Sequence, residues 1–209
     1  MTNISFLSLS DDQEAAQPLL KQFATILVSG LIDNDTYVEF SWALRLGRVL
    51  HPTQPLIVQF NGLGGDVTPA LGMADLIQAD GNVWGVALGR VCSCLSVLWA
   101  ACARRYIAPN AALGVHPVVM SIGSEMNAAG MRNLADDTDH MDERAIAIYT
   151  AASTKDIDYW RSVYFTATDH LEILPASAVI GDLGMAFPLE RLNNDLRRAQ
   201  IRPNGDWQS

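Results

Sequence analysis

Short apolar runs alternate along the chain with amphipathic stretches, and turns rich in glycine or proline separate them. Thr25-Ile26-Leu27-Val28-Ser29 reads as a strand closed by Gly30. Asp33 is placed to cap a helix running to about Leu50, in which Phe40 and Leu44 share one face and Val38 and Trp42 another. His51-Pro52-Thr53-Gln54-Pro55 breaks that helix. Leu56 to Phe60 is apolar at most positions, the pattern of a strand covered on both faces. The turn Asn61-Gly62-Leu63-Gly64-Gly65 leads to a helix from about Thr68 to Ala79, with Pro69 in its first turn. Val83 to Leu88 predicts a third strand, and Gly89-Arg90-Val91-Cys92 joins it to a helix from about Ser93 to Ala103. Tyr106-Ile107-Ala108 and Leu113-Gly114-Val115 predict two further strands. Repetition of strand, crossover helix and strand implies parallel pairing and an α/β core.

After His116-Pro117 the texture becomes helical. A long stretch from about Glu125 to Ser153 carries Met126, Met141, Ala145 and Ile148 among polar neighbours. Its Asp136-Asp137-Thr138-Asp139 cluster reads as a solvated face, because it lacks the loop glycine with which carboxylates converge on a metal. A second helix, about Asp156 to Tyr164, follows, and Pro175 to Ile180 reads as a short helix stopped by Gly181. The organisation expected is an N-terminal arm over 1–22 and one domain over 23–209, with a helical projection at about 125–165.

Composition narrows the classes. A chain of 209 residues with 49% hydrophobic and 18% charged residues can bury a sizeable core, which excludes disorder as its main state. The net charge of −9 argues against nucleic acid as a partner. So few charges on so apolar a chain point to surface covered by other subunits. The most apolar stretch, Val91 to Ala103, is shorter than the ~18 residues a membrane span needs. The N-terminal residues lack a basic leader and an unbroken apolar segment, so a secretory signal is not expected. Cys92, Cys94 and Cys102 form neither a CxxC pair nor an even set, so buried free thiols in the cytoplasm are expected.

Three side chains carry candidate chemistry. Ser93 stands at a strand-to-helix junction, where a hydroxyl faces unpaired backbone N–H groups; it reads as a nucleophile or as a helix cap. His116 ends a strand at the sheet edge where α/β proteins place their sites, and reads as a base or as a structural histidine. Asp169 closes Thr166-Ala167-Thr168 before an apolar run, as an orienting carboxylate or a turn residue. The order Ser, His, Asp differs from that of the common serine proteases and of hydrolases with a nucleophile elbow. Gly64-Gly65 lies between a strand and a helix, where backbone amides can approach a ligand; a phosphate loop is disfavoured, since neither GxGxxG nor a following Lys-Ser/Thr is present.

Together these residues resemble the ClpP family, the proteolytic subunit of Clp protease, over roughly residues 25–187. The family's Ser-Pro-Gly-Gly turn corresponds to Gly62-Leu63-Gly64-Gly65, followed by Gly72-Met73-Ala74-Asp75. Its Ser-Met-Gly-Ala corresponds to Ser93-Cys94-Leu95-Ser96, and its Arg-Tyr strand, Pro-Asn and His-Gln-Pro to Arg105-Tyr106, Pro109-Asn110 and His116-Pro117. Asp169, Pro175, Ala178 and Gly181 keep the spacing of the family's last segment. Departures are the loss of the serine and proline of the glycine turn, the bulk of Leu95-Ser96 expected beside the oxyanion site, and the missing Gln after His116. Thr168 and His170 flank Asp169 where many members have an arginine, and the N-terminal segment matches poorly.

The resemblance implies an α/β fold with a ClpP/crotonase-like stacked parallel-sheet core and a protruding helical handle. It implies a serine endopeptidase with Ser93 as nucleophile, His116 as general base and then acid, and Asp169 as the orienter of the imidazole. Gly65 and Cys94 would supply oxyanion amides, with Gly64 and Val67 beside the substrate. No cofactor or metal is implied. The partners implied are copies of the chain or of paralogues in two stacked heptameric rings, an AAA+ unfoldase, and unfolded polypeptide as substrate. An inactive ClpR-like structural subunit of a mixed ring is the alternative; a phage-type maturation protease and a crotonase-like acyl-CoA enzyme are more distant ones.

Overall fold

Strand β1 (Thr25–Ile32) does not stop at Gly30 but continues beyond it, with a shift of register between Ser29 and Leu31. It belongs to a computed structural model that describes residues 20, 22–120, 125–167 and 171–201. Helix α1 (Asn34–Leu50) begins where expected, because the Asp33 carboxylate accepts the Thr36 N–H at 2.8 Å. Its two faces separate as the pattern predicts: Phe40 and Leu44 are buried, Val38 and Trp42 exposed.

Strand β2 (Leu56–Gly65) corrects the sequence reading, since the segment expected to turn at Asn61–Gly65 is strand to its end. The pairing Ile32↔Gly65 with β1 supplies what the glycines lack in strand propensity. Helix α2 (Val67–Asp80) ends on Gly81 at a φ of 71°, the left-handed cap. Strand β3 (Val83–Cys92) likewise extends through Gly89-Arg90-Val91-Cys92, which was expected to be a connection. Helix α3 (Cys94–Ala100) is correspondingly shorter than the predicted stretch to Ala103 and buried all round.

Strands β4 (Arg104–Ile107) and β5 (Ala112–Val115) both pair with β3. Trp84 to Ala87 of β3 lie against Arg104 to Ile107, and Arg90 to Cys92 against Ala112 to Gly114. The sheet therefore forks along one strand. Three elements at the C-terminal end were not foreseen: strand β6 (Glu172–Pro175), strand β7 (Phe187–Pro188) and a terminal helix. The sheet order is β1-β2-β3-β4-β7, with β5 on β3 and β6 on β5. All pairs are parallel except β5–β6, an exception to the all-parallel expectation.

Alternation along the strands divides two cores. Leu56, Val58 and Phe60 face the larger one with Phe40, Ala74 and Leu98 of the helices. Ile57, Trp84, Val86 and Tyr106 face the other side, where Phe187 covers them with Leu192 and Leu196 of the C-terminal helix (Leu192–Ile201). The three cysteines are free and buried, as expected.

Helix α4 (Ala128–Ala152) starts on an Asn127 cap and, at about 1.5 Å per residue, is long enough to leave the body of the fold. Its buried positions, Asp142, Ala145, Ile146, Tyr149 and Ala152, all lie in the second half. The first half is largely exposed, including Asp136, Asp137 and Asp139. Helix α5 (Ile157–Thr166) returns alongside it, stacking Trp160 on Tyr149 at 4.9 Å between ring centroids, and the short helix α6 (Ala176–Ile180) follows β6. No helix among the described residues is long and apolar enough to cross a membrane.

Candidate active site

Ser93 links β3 to α3 with φ 57° and ψ −140°, and its side chain makes no capping hydrogen bond. A positive φ costs a residue with a Cβ of order 1–3 kcal/mol, so its surroundings must hold it there. Its N–H donates to Gly114 O at 2.6 Å, and its carbonyl accepts the Ser96 N–H at 2.9 Å and the Ser96 Oγ–H at 2.7 Å. The hydroxyl thus stands clear of the helix end. The capping role considered from sequence is not the one it plays.

His116 follows directly on β5, and its Nε2 is 2.9 Å from Ser93 Oγ. Its Nδ1 lies 2.6 Å from the Pro117 carbonyl. A carbonyl only accepts, so Nδ1 carries the proton and Nε2 offers its lone pair to the serine hydroxyl. That is the tautomer a general base requires.

Gly64 and Gly65 bring β2 against this pair. At Gly64, with φ 98°, a Cβ would stand 2.6 Å from Ser93 Cβ; at Gly65 one would stand 2.3 Å from Ile32 O. The close approach is why both positions lack a side chain. The amides of Gly65 and Cys94 both bear on the Cys94 sulfur, opposing the burial that pushes its pKa up to about 12. Two backbone donors therefore bear on the Cys94 sulfur, on the residue that follows Ser93.

A cavity of about 400 Å³ opens over the pair, lined among others by Gly65, Val67, Cys94, Val97 and Tyr164. Leu95 does not reach it. That side chain is fully buried in the larger core, so the bulk expected beside the oxyanion site is turned away. Behind the cavity lies Asp142, only 3% exposed. Its Oδ1 accepts the Val118 N–H at 2.8 Å, and the Tyr164 phenol also donates to it. Burial raises its pKa, while these two hydrogen bonds and the nearby His116 work in the opposite direction. Burial likewise raises the Tyr164 pKa and keeps the phenol a neutral donor.

Of the residues singled out from sequence, Ser93, His116, Gly65, Cys94 and Val67 line one cavity, and Gly64 backs Ser93. Asp169, with Thr168 and His170, lies outside the described residues. Asp142, Tyr164, Ser96 and Tyr149 were missed. The signal for Asp142 was present: it falls on the apolar face of α4 with Ala145, Ile146 and Tyr149, where an unpaired carboxylate would be costly. Among the described residues no cluster of His, Cys, Asp or Glu could hold a metal ion.

A serine and a histidine in contact beside a glycine strand, on a largely parallel α/β sheet, have the arrangement found in hydrolase sites. The model of the Clp protease family matches residues 11–170, a span that includes Ser93, His116 and Asp169, and the chain belongs to that family. A search of curated proteins found no match. The fold is accordingly that of ClpP, and the domain is a ClpP-like protease domain.

Proposed function

We propose that this chain is a serine endopeptidase subunit of a Clp-type ring protease, acting on unfolded polypeptides in the cytoplasm. The observation that carries the reading is the 2.9 Å contact of Ser93 Oγ with His116 Nε2, in the tautomer fixed by the Pro117 carbonyl. In this reading His116 takes the hydroxyl proton as Ser93 attacks the scissile carbonyl carbon. The oxyanion formed is met by the N–H groups of Gly65 and Cys94, a contribution of roughly 3–4 kcal/mol per donor in comparable sites. His116 then protonates the leaving amine, and water repeats the cycle on the acyl-enzyme. Asp169 is proposed as the third member, taking over the Nδ1 proton from the Pro117 carbonyl to orient the imidazole and stabilise its cation. Substrate adds as an extended strand beside Gly64, Gly65 and Val67 and the segment after His116. Acyl transfer by these groups calls for no cofactor.

Assembly into two stacked heptameric rings, with an AAA+ unfoldase as feeder, is part of the proposal. An apolar stripe on α1 supports burial against other subunits: Val38, Trp42 and Val49 are 51%, 61% and 77% exposed. The test is fluorophosphonate labelling of the native assembly, with its mass measured on the same sample. The expected result is one adduct, on Ser93, and loss of peptide hydrolysis in Ser93→Ala with the assembly intact. An assembled ring that takes no label would instead be the structural subunit of a mixed ring.

A further inference from the structure

Two buried hydroxyls lie beneath the nucleophile, and the reaction as described uses neither. Ser96 Oγ donates to Ser93 O at 2.7 Å and has Gly114 O as a second acceptor at 3.3 Å. Tyr149 Oη, on α4, is 2.7 Å from Ser96 Oγ. The single hydroxyl proton of Ser96 is already engaged with a carbonyl, so the phenol is the donor to Ser96. Ser96 is fully buried and Tyr149 1% exposed, and burial keeps the phenol protonated. Apolar groups of the same shape would fill this space without the cost of burying two hydroxyls.

The carbonyls they hold are informative. Ser93 O belongs to the residue with the strained backbone, and Gly114 O receives the Ser93 N–H and lies two residues before His116. Resting on the reading of Ser93 as nucleophile, we propose that Ser96 and Tyr149 are positioning residues. Their hydroxyls clamp the Ser93 turn to β5 and so set the distance between Ser93 Oγ and His116. Tyr149 is itself fixed by its stack on Trp160, which ties the clamp to the base of α4 and to α5.

The test compares wild type, Ser96→Ala, Tyr149→Phe and the double variant, all well below their melting temperatures. The readouts are peptide kcat and KM and the rate of Ser93 phosphonylation by a fluorophosphonate. Tyr149→Phe removes one oxygen and keeps the ring stack. It is expected to lower kcat and the phosphonylation rate about five- to tenfold, with KM within about twofold of wild type. Ser96→Ala should cost at least as much. The double variant should match Ser96→Ala alone, because the phenol acts through Ser96. Wild-type rates in the folded single variants, or effects that multiply in the double variant, would overturn the clamp. If Ser96→Ala fails to fold, Tyr149→Phe decides alone. If wild type takes no label, the nucleophile reading fails, and amide hydrogen exchange at Ser93 and Ser96 decides: faster exchange in Tyr149→Phe supports the clamp, and unchanged exchange refutes it.

Discussion

Gly64 and Ser93 approach so closely that a single added methyl group on the glycine would stand 2.6 Å from the serine Cβ. With φ at 98°, Gly64 is also in a conformation that L side chains rarely adopt. Gly64→Ala is therefore expected to destabilise the fold by about 2–5 kcal/mol, adding the left-handed penalty to the overlap. It should also slow Ser93 labelling in whatever fraction remains folded. Leu63→Ala, one residue earlier and 65% exposed in the native protein, should leave the denaturant midpoint unchanged. Equal midpoints for the two variants would show that β2 yields easily.

Asp142 is expected to give a stability effect that depends on pH. Its folded pKa is raised, so the folded state disfavours its charge, and the penalty is full above the folded pKa. Stability is regained as pH falls through the folded pKa toward the unfolded value of about 3.9. Asp142→Asn removes the charge and keeps an oxygen to accept the Val118 N–H. It should melt higher than wild type near neutral pH, and the gap should close by about pH 4. A lower melting temperature at neutral pH would mean that the hydrogen bonds from Val118 and Tyr164 to the carboxylate outweigh burial.

The cysteines should be silent in the native protein. Burial pushes the Cys94 and Cys102 thiols up to about 12 and raises Cys92 as well. For a pKa near 12, only about one thiol in 10⁴ is thiolate at pH 8, and the thiolate is what reacts. Iodoacetamide at that pH should leave folded protein unmodified and alkylate all three cysteines after denaturation. Rapid modification of Cys94 in the native state would show that the cavity floor opens.

Asp195 fastens the C-terminal helix to the sheet. It is 3% exposed and accepts from Tyr106 Oη at 2.9 Å and Arg191 Nε at 3.0 Å, with Arg104 Nη1 at 3.3 Å. Asp195→Ala would strand the buried phenol, while both arginines can turn to water. We expect a loss of about 1–3 kcal/mol in denaturant melts. Tyr106→Phe should recover part of it, because no donor is then left unpaired. No recovery would assign the loss to the arginines.

The sequence was informative where chemistry is local. Asp33 capped its helix, Phe40 and Leu44 faced inward, and Ser93 and His116 came together at the sheet edge. Extended backbone held only by a neighbour was not legible: the glycines of β2 and residues 89–92 of β3 are strand because β1 and β5 pair with them. The short β6 and β7 contain too few residues to show a period. Leu95 was misjudged because its place near Ser93 in sequence says nothing of which way it turns at a positive-φ junction. Ser96 and Tyr149 are 53 residues apart in the chain, so no spacing rule could join them.

The fork in β3 has a mechanical corollary. Cys92 is paired with Gly114, one residue before Ser93 on one strand and two before His116 on the other. Serine and histidine thus stand just past the last rung of one ladder, apart from the branch that carries β4 and β7. Bending the main blade of the sheet would carry both together and leave their separation intact.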